Sequence, residues 1–228
     1  MRAAIAYRLL LGGKLNSLTN EQRCDWGRFL LSMQLRSPWA LGELERLADQ
    51  TLRANLERYV DPEYLARRKP DDPDTPYAWL EKHHPEVLRN AHKTFLPGLI
   101  DHDDLGQYLI NMQWMTLDVS WATHSLLTSD RPFLHTLGWK DPRTTLLFPL
   151  SPRLLFVAAN SDQRLAPLRR ASPSRVVREA NTLVADFAVD FVIGVDGAQL
   201  AFVEKRLRRT DQEPQPGEIG RGRPGCPQ

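Results

Sequence analysis

The spacing of apolar residues changes near residue 112, and that change limits the fold more than any other feature of the chain. Upstream the spacing is helical. Trp26, Phe29, Leu30 and Met33 fall at i, i+3, i+4 and i+7, and Leu41, Leu44, Ala48, Leu52, Leu56 and Tyr59 continue a stripe. Downstream, "QWMTLDV" (113–119), "HSLLTS" (124–129), "TTLLFPL" (144–150) and "RLLFVAA" (153–159) are short, apolar and separated by turn residues, which is the pattern of strands. Helices first and strands after argue for α+β rather than alternating α/β. The expected architecture is a helical N-terminal half packed on a small, mostly antiparallel sheet from the C-terminal half, with one long late helix.

Local signals place the elements. Ala3 to Leu11 reads as a helix stopped by Gly12-Gly13. Thr19 and Gln22 have capping-box spacing at the head of the next helix. Ser37-Pro38 breaks that helix or restarts it, with Ser37 as cap. "DPEYLARRKPDDPDTP" (61–76) reads as a surface connection, followed by short helices over 76–82 and 85–96 and another over 101–110. A late helix begins near Ser172-Pro173, with Val176, Val177, Ala180, Leu183, Val184, Phe187 and Ala188 as a wide apolar face. "DFVIGVD" (190–196) is a last strand, ended by Gly197. From Thr210 onward there is almost nothing apolar, so 210–228 is expected to be a disordered tail. At 228 residues the chain can bury a sizeable core, and 1–209 is expected to form a single α+β domain. The helix at the very start has no capping residue before it, which suggests an N-terminal truncation.

Bulk properties exclude more than they identify. The net charge of +2 favours no partner class. Its distribution is uneven: Arg131, Lys140, Arg143, Arg153, Arg164, Arg169, Arg170, Arg175 and Arg178 face only Asp141 and Asp162 in the same stretch, whereas 43–104 is acid-rich. The two regions could neutralise each other. Alternatively, Arg164, Arg169, Arg170, Arg175 and Arg178 could give weak, non-specific, salt-sensitive nucleic-acid binding. Cys24 and Cys226 make neither a disulfide framework nor a metal site, and they fit a reducing, cytoplasmic setting. No apolar run approaches the roughly 18 residues of a membrane span, and Arg8 interrupts what would otherwise resemble a signal peptide. No membrane partner is expected. An incomplete sheet edge would permit self-association.

There is no phosphate loop, nucleophile elbow or zinc spacing, and no cofactor or metal is expected. Asp101-His102-Asp103-Asp104 holds chemically suitable ligands, but four successive residues do not converge from one helical turn, so an acidic helix start with Asp104 and Gln107 at capping spacing is the plainer reading. His83 and His84 precede Pro85 and read as structural or solvated. His124 and His135 flank the turn Ser129-Asp130-Arg131-Pro132. Trp114, Trp121 and Trp139 could stack bases but more commonly pack a sheet. Asp130 is the central question. Pro132 removes one donor from its turn, and the apolar Leu126-Leu127 places the turn at the edge of the core. Arg36, at the end of an apolar helical face, is the expected partner; a local turn bond is the alternative.

The order "MQLRSP" (33–38), a Trp-led strand at Trp114, "LLTSDRP" (126–132), "FPLSP" (148–152) and a helix carrying Asn181 resembles the bacterial family called domain of unknown function 4238. The resemblance spans roughly residues 5 to 197. Members open with a His-aromatic-Val/Ile-Pro segment, which this chain does not show, and Arg131 stands where the family places Asn. The resemblance carries no established reaction. Two readings follow. In one, Gln34, Arg36, Ser129, Asp130 and Asn181 form the site of a hydrolase acting on nucleic acid around Arg36 and Asp130. In the other, favoured here, the same residues are a structural network in a non-catalytic binding or interaction module.

Overall fold

The computed structural model describes residues 2–58, 62–101, 103–137 and 141–207. Tyr59, His102, Trp139, Cys226 and the tail expected over 210–228 lie outside the described residues, as do the side chains of Asp103 and Asp104. The chain forms two compact units, one from 1–34 with 103–228, the other from 35–102.

The first unit is built on an antiparallel sheet in the order β1-β5-β4-β3: β1 (Gln113–Asp118), β5 (Leu154–Ala159), β4 (Thr145–Ser151) and β3 (Leu134–His135). Its central strand is covered on both faces, which is why "LLFVAA" lacks polar alternation. Phe156 and Ala158, with Leu146, Phe148 and Leu150 of β4, face a core made with Ala6 and Leu10 of α1 (Ala3–Leu11), Trp26 and Leu30 of α2 (Asn20–Leu35) and Leu109 of the later helix Asp103–Asn111. Leu155, Val157 and Ala159, with Leu147 and Met115, face a second core. The helix Asp162–Arg170 supplies Leu165 to it, and the helix Pro173–Phe187 supplies Val176, Val177, Ala180 and Val184. An α+β fold with a small antiparallel sheet is therefore present, and the sheet is sandwiched between helices.

Two helix ends form as the sequence dictates. Gly13 adopts φ +69°, its N–H donates to the Leu10 carbonyl at 3.0 Å, and the Lys14 N–H reaches the Leu9 carbonyl at 2.8 Å. That paired pattern terminates a helix through a left-handed residue, where glycine carries no Cβ penalty. At the head of α2, the Gln22 N–H donates to Thr19 Oγ1 at 3.2 Å, and the Thr19 N–H donates to Gln22 Oε1 at 2.9 Å. The capping box is reciprocal.

The second unit is helical: α3 (Pro38–Arg58), α4 (Pro62–Arg67), α5 (Pro76–His83) and α6 (Pro85–Ile100). Each begins with proline, whose missing N–H costs nothing in the first turn. α3 packs against α5 and α6. Ser37 Oγ accepts from the Ala40 N–H at 3.3 Å, so Ser37-Pro38 restarts a helix. Part of the stretch expected as connection is α4, and α6 runs four residues past its expected end, through Pro97.

Continuing along the chain, α7 is Asp103–Asn111, α8 is Asp162–Arg170, α9 is Pro173–Phe187 and α10 is Leu200–Leu207. β2 (Thr128–Ser129) and β6 (Val192–Ile193) form a separate antiparallel ribbon.

Candidate functional site

The expected strand 124–129 is a strand only at Thr128 and Ser129. The residues before it are held by other means. Asn181, 1% exposed on the buried face of α9, accepts from the Leu127 N–H through Oδ1 at 2.9 Å. Its Nδ2 donates to the Ser125 carbonyl and to Gln199 Oε1, both at 2.8 Å. Gln199 Nε2 donates to the same Ser125 carbonyl at 2.9 Å. One side-chain amide thus does for residues 125–127 what a neighbouring strand would do. Between those bonds, the Leu126 N–H donates to the carbonyl of Pro152 at 2.9 Å.

The turn between β4 and β5 completes the clip. Arg153 Nη1 donates to the carbonyls of Ala122 at 3.0 Å and His124 at 3.3 Å, and the Arg153 carbonyl accepts from the Val119 N–H at 2.9 Å. The stretches around 126–132, 148–152 and Asn181, distant in sequence, meet on a few backbone groups.

Asp130 follows directly. Its N–H donates to the Phe191 carbonyl at 3.3 Å, and its carboxylate accepts from the Val189 N–H at 3.1 Å (Oδ1) and 3.3 Å (Oδ2). The local turn bond belongs instead to Ser129, whose Oγ accepts from the Arg131 N–H at 3.1 Å. Asp130 therefore ties the end of α9 and the start of β6 to its own turn. Arg36, the partner expected from the sequence, is exposed and belongs to the helical unit. Gln34, half-buried, is the last residue of the sheet-bearing unit's first segment. Beside Asp130, burial lowers the pKa of the half-buried Arg131, against the pull of Asp130 and Asp190.

Adjacent to the clip lies a cleft of about 480 Å³. Its lining includes the exposed His124, Arg175 and Arg178, the buried Asn181 and Val177, and the half-buried Gln199 and Phe202. Ser174 and Ser172, at the head of α9, also line it, and Ser174 Oγ accepts from the Thr123 N–H at 3.1 Å. Helix heads favour negative charge.

The five arginines expected to meet nucleic acid are not equivalent. Arg164 donates to the Arg143 carbonyl at 2.7 Å, Arg169 pairs with Asp162 at 2.6 Å, and Arg175 pairs with Glu179 at 2.8 Å. Arg170 and Arg178 are exposed and have no side-chain partner among the described residues. Only Arg175 and Arg178 reach the cleft.

The other candidates have structural surroundings. Trp114 is buried, its Nε1 donates to the Leu109 carbonyl at 2.9 Å, and the Arg23 guanidinium stacks 3.8 Å from its ring while donating to the Ile110 and Met112 carbonyls. Trp121 is 90% exposed. The rings of His83 and His84 lie tilted against Trp79, with centroids 4.9 and 5.4 Å away, and His84 Nδ1 lies 3.2 Å from Glu86 Oε1. His135 Nδ1 lies 2.9 Å from the Leu137 carbonyl, and burial lowers its pKa. Among the described residues no three His, Cys, Asp or Glu side chains converge as metal ligands, and no helix is long and apolar enough to cross a membrane.

Sequence reasoning missed Gln199 and Arg153. Gln199 lies two residues past Gly197 in an unpatterned stretch, and Arg153 reads as an ordinary hairpin cation; both act on main-chain carbonyls, which leave no mark in side-chain spacing.

A helix-sandwiched antiparallel sheet, with the buried Asn181 amide and the Asp130 carboxylate bonded to main chain, defines an α+β protein. The family model described as "Protein of unknown function (DUF4238)" matches residues 1–198, and the chain belongs to that family. No curated protein and no solved structure matches it.

Proposed function

We propose that this protein is a non-catalytic binding module whose ligand is a small molecule carrying one or two negative charges, held in the cleft beside α9. The observation that carries this reading is a division of labour. Asn181, Ser129 and Asp130 are engaged with backbone groups, while Arg178, at the rim of the cleft, has no partner among the described residues. The cleft lies within the range of about 300–1,000 Å³ that small-molecule sites occupy. Val177 and Phe202 offer an apolar wall to the body of the ligand, and Arg175 and Arg178 offer cations to its charged end. The alternative, hydrolysis of nucleic acid around Arg36 and Asp130, requires a carboxylate free to act as base. The engagement of Asp130 with Val189 gives that alternative no support.

Calorimetric titration with phenyl phosphate at low salt tests the proposal. Binding is expected, and Arg178→Ala should weaken it about tenfold or more, because hydrogen bonds to charged groups contribute about 1.5–3 kcal/mol. Absence of binding at millimolar phenyl phosphate, or equal binding by the variant, would overturn it.

A further inference from the structure

The ribbon of β2 and β6 carries a second surface, independent of the cleft. Among the described residues β6 pairs only with β2, so its other edge has no strand beside it. The register is Thr128 with Ile193 and Ser129 with Val192, and the Asp130 N–H donates to the Phe191 carbonyl. In an antiparallel pair this pattern turns the main-chain groups of Phe191 and Ile193 toward β2 and those of Val192 and Gly194 toward the open edge. The side chains alternate the other way. Val192 packs against the core, and a Cβ on Gly194 would stand 3.0 Å from Leu127 Cδ2, so this side lies tight against the molecule. Phe191 and Ile193 stand on the solvent side, 48% and 55% exposed. Val189 and Val195, on the bends at either end, are exposed too.

An open edge with an apolar outer face is a template for an added strand. Charge selects what can occupy it. Asp190 and Asp196, both exposed, bracket the apolar residues. If a second copy paired antiparallel about Ile193, Asp190 of each chain would stand opposite Asp196 of the other, and like charges directly opposed are destabilising. An incoming strand with basic residues at its two ends meets those carboxylates favourably. We propose that the free edge of β6 is a docking site for an extended peptide segment of a protein partner, with alternating apolar residues flanked by Lys or Arg, bound by strand addition along Phe191–Val195.

Two synthetic seven-residue peptides test this on the full chain: a Thr-Val-Thr-Val-Thr centre with Lys at both ends, and the same centre with Glu at both ends. Binding is read by fluorescence anisotropy, and the contact by amide exchange at Val192 and Gly194. The Lys-flanked peptide should bind more tightly and slow exchange at both amides. The double change Asp190→Asn with Asp196→Asn removes charge but keeps the acceptor that Asp196 offers to the Ala198 N–H. It should weaken the Lys-flanked peptide about five- to tenfold at low salt, two rim charge pairs being involved. Ile193→Lys, at an exposed position, should weaken both peptides. Equal binding of the two peptides, indifference to both sets of substitutions, or protection of Val192 and Gly194 by protein concentration alone would overturn the proposal. The last of these would assign the edge to a second copy of the chain.

Discussion

Asn181 and Asp130 occupy opposite kinds of place and do related work. Asn181 sits within the apolar face of α9, where an unsatisfied amide would be costly, and three hydrogen bonds offset its burial. Asp130 is half-buried at a turn, and its carboxylate serves as an acceptor for one backbone N–H. An acceptor role has a sharp consequence. Asp130→Ala should cost about 1 kcal/mol, whereas Asp130→Asn, which retains an acceptor oxygen, should cost less than half of that in urea unfolding. Equal losses would mean that the negative charge itself matters, as in an ion pair. His135 gives a pH dependence of known sign. Its folded-state pKa is lowered by burial, so the unfolded chain binds the proton more readily. The stability this contributes is complete above the ordinary histidine value of about 6.5 and falls as pH drops from there toward the folded value. Urea midpoints should decline from pH 7.5 to 5.5, and His135→Gln should flatten that decline; an unchanged slope would assign the decline to other groups.

Among the elements, α2 and α7 meet at a glycine. Gly27 is buried, and a Cβ there would meet Leu109 Cδ2 at 3.6 Å and Ile110 Cγ1 at 3.8 Å, which is ordinary contact. Gly27→Ala should therefore raise stability by about 0.5–1 kcal/mol, through helix propensity and a less disordered unfolded chain; a loss in thermal melting would show that the two helices cannot give even slightly. The capping box at Thr19, the stop at Gly13, the restart at Pro38 and the apolar face of α9 were legible because each is written in neighbouring residues. α8 was not, since Pro167 reads as a breaker and Leu165 is its only buried residue. α10 begins three residues past Gly197 and has no buried residue to set a pattern. Residues 125–127 look like strand because the apolar Leu126 and Leu127 sit between turn residues, but the bond to Leu127 comes from a side chain 54 positions away at Asn181. For the same reason the site was half legible. Asn181, Ser129 and Asp130 stand out in the sequence as polar residues within or beside apolar stretches, whereas the groups they bond, the main chain of Ser125, Leu127, Arg131 and Val189, carry no sequence signature.

On the scale of the whole molecule, three of the ordered motifs that carry the family resemblance acquire a physical reason. Leu126, Pro152 and Asn181 come from a loop, a hairpin turn and a helix, and they meet where the sheet would otherwise leave a segment unpaired. Such an arrangement ties the late helix to residues 125–127 and, through Leu126, ties that segment to the β4–β5 turn. A cleft sits beside it: α9 is anchored on its inner face by Asn181, while Arg178 on its outer face lines the cleft and stays exposed. The account stands on that anchor being structural. Equilibrium urea unfolding of Asn181→Ala tests it most directly. The variant orphans the buried Leu127 N–H, so the account predicts a loss of about 2–3 kcal/mol in unfolding free energy; a variant as stable as the parent chain would contradict it.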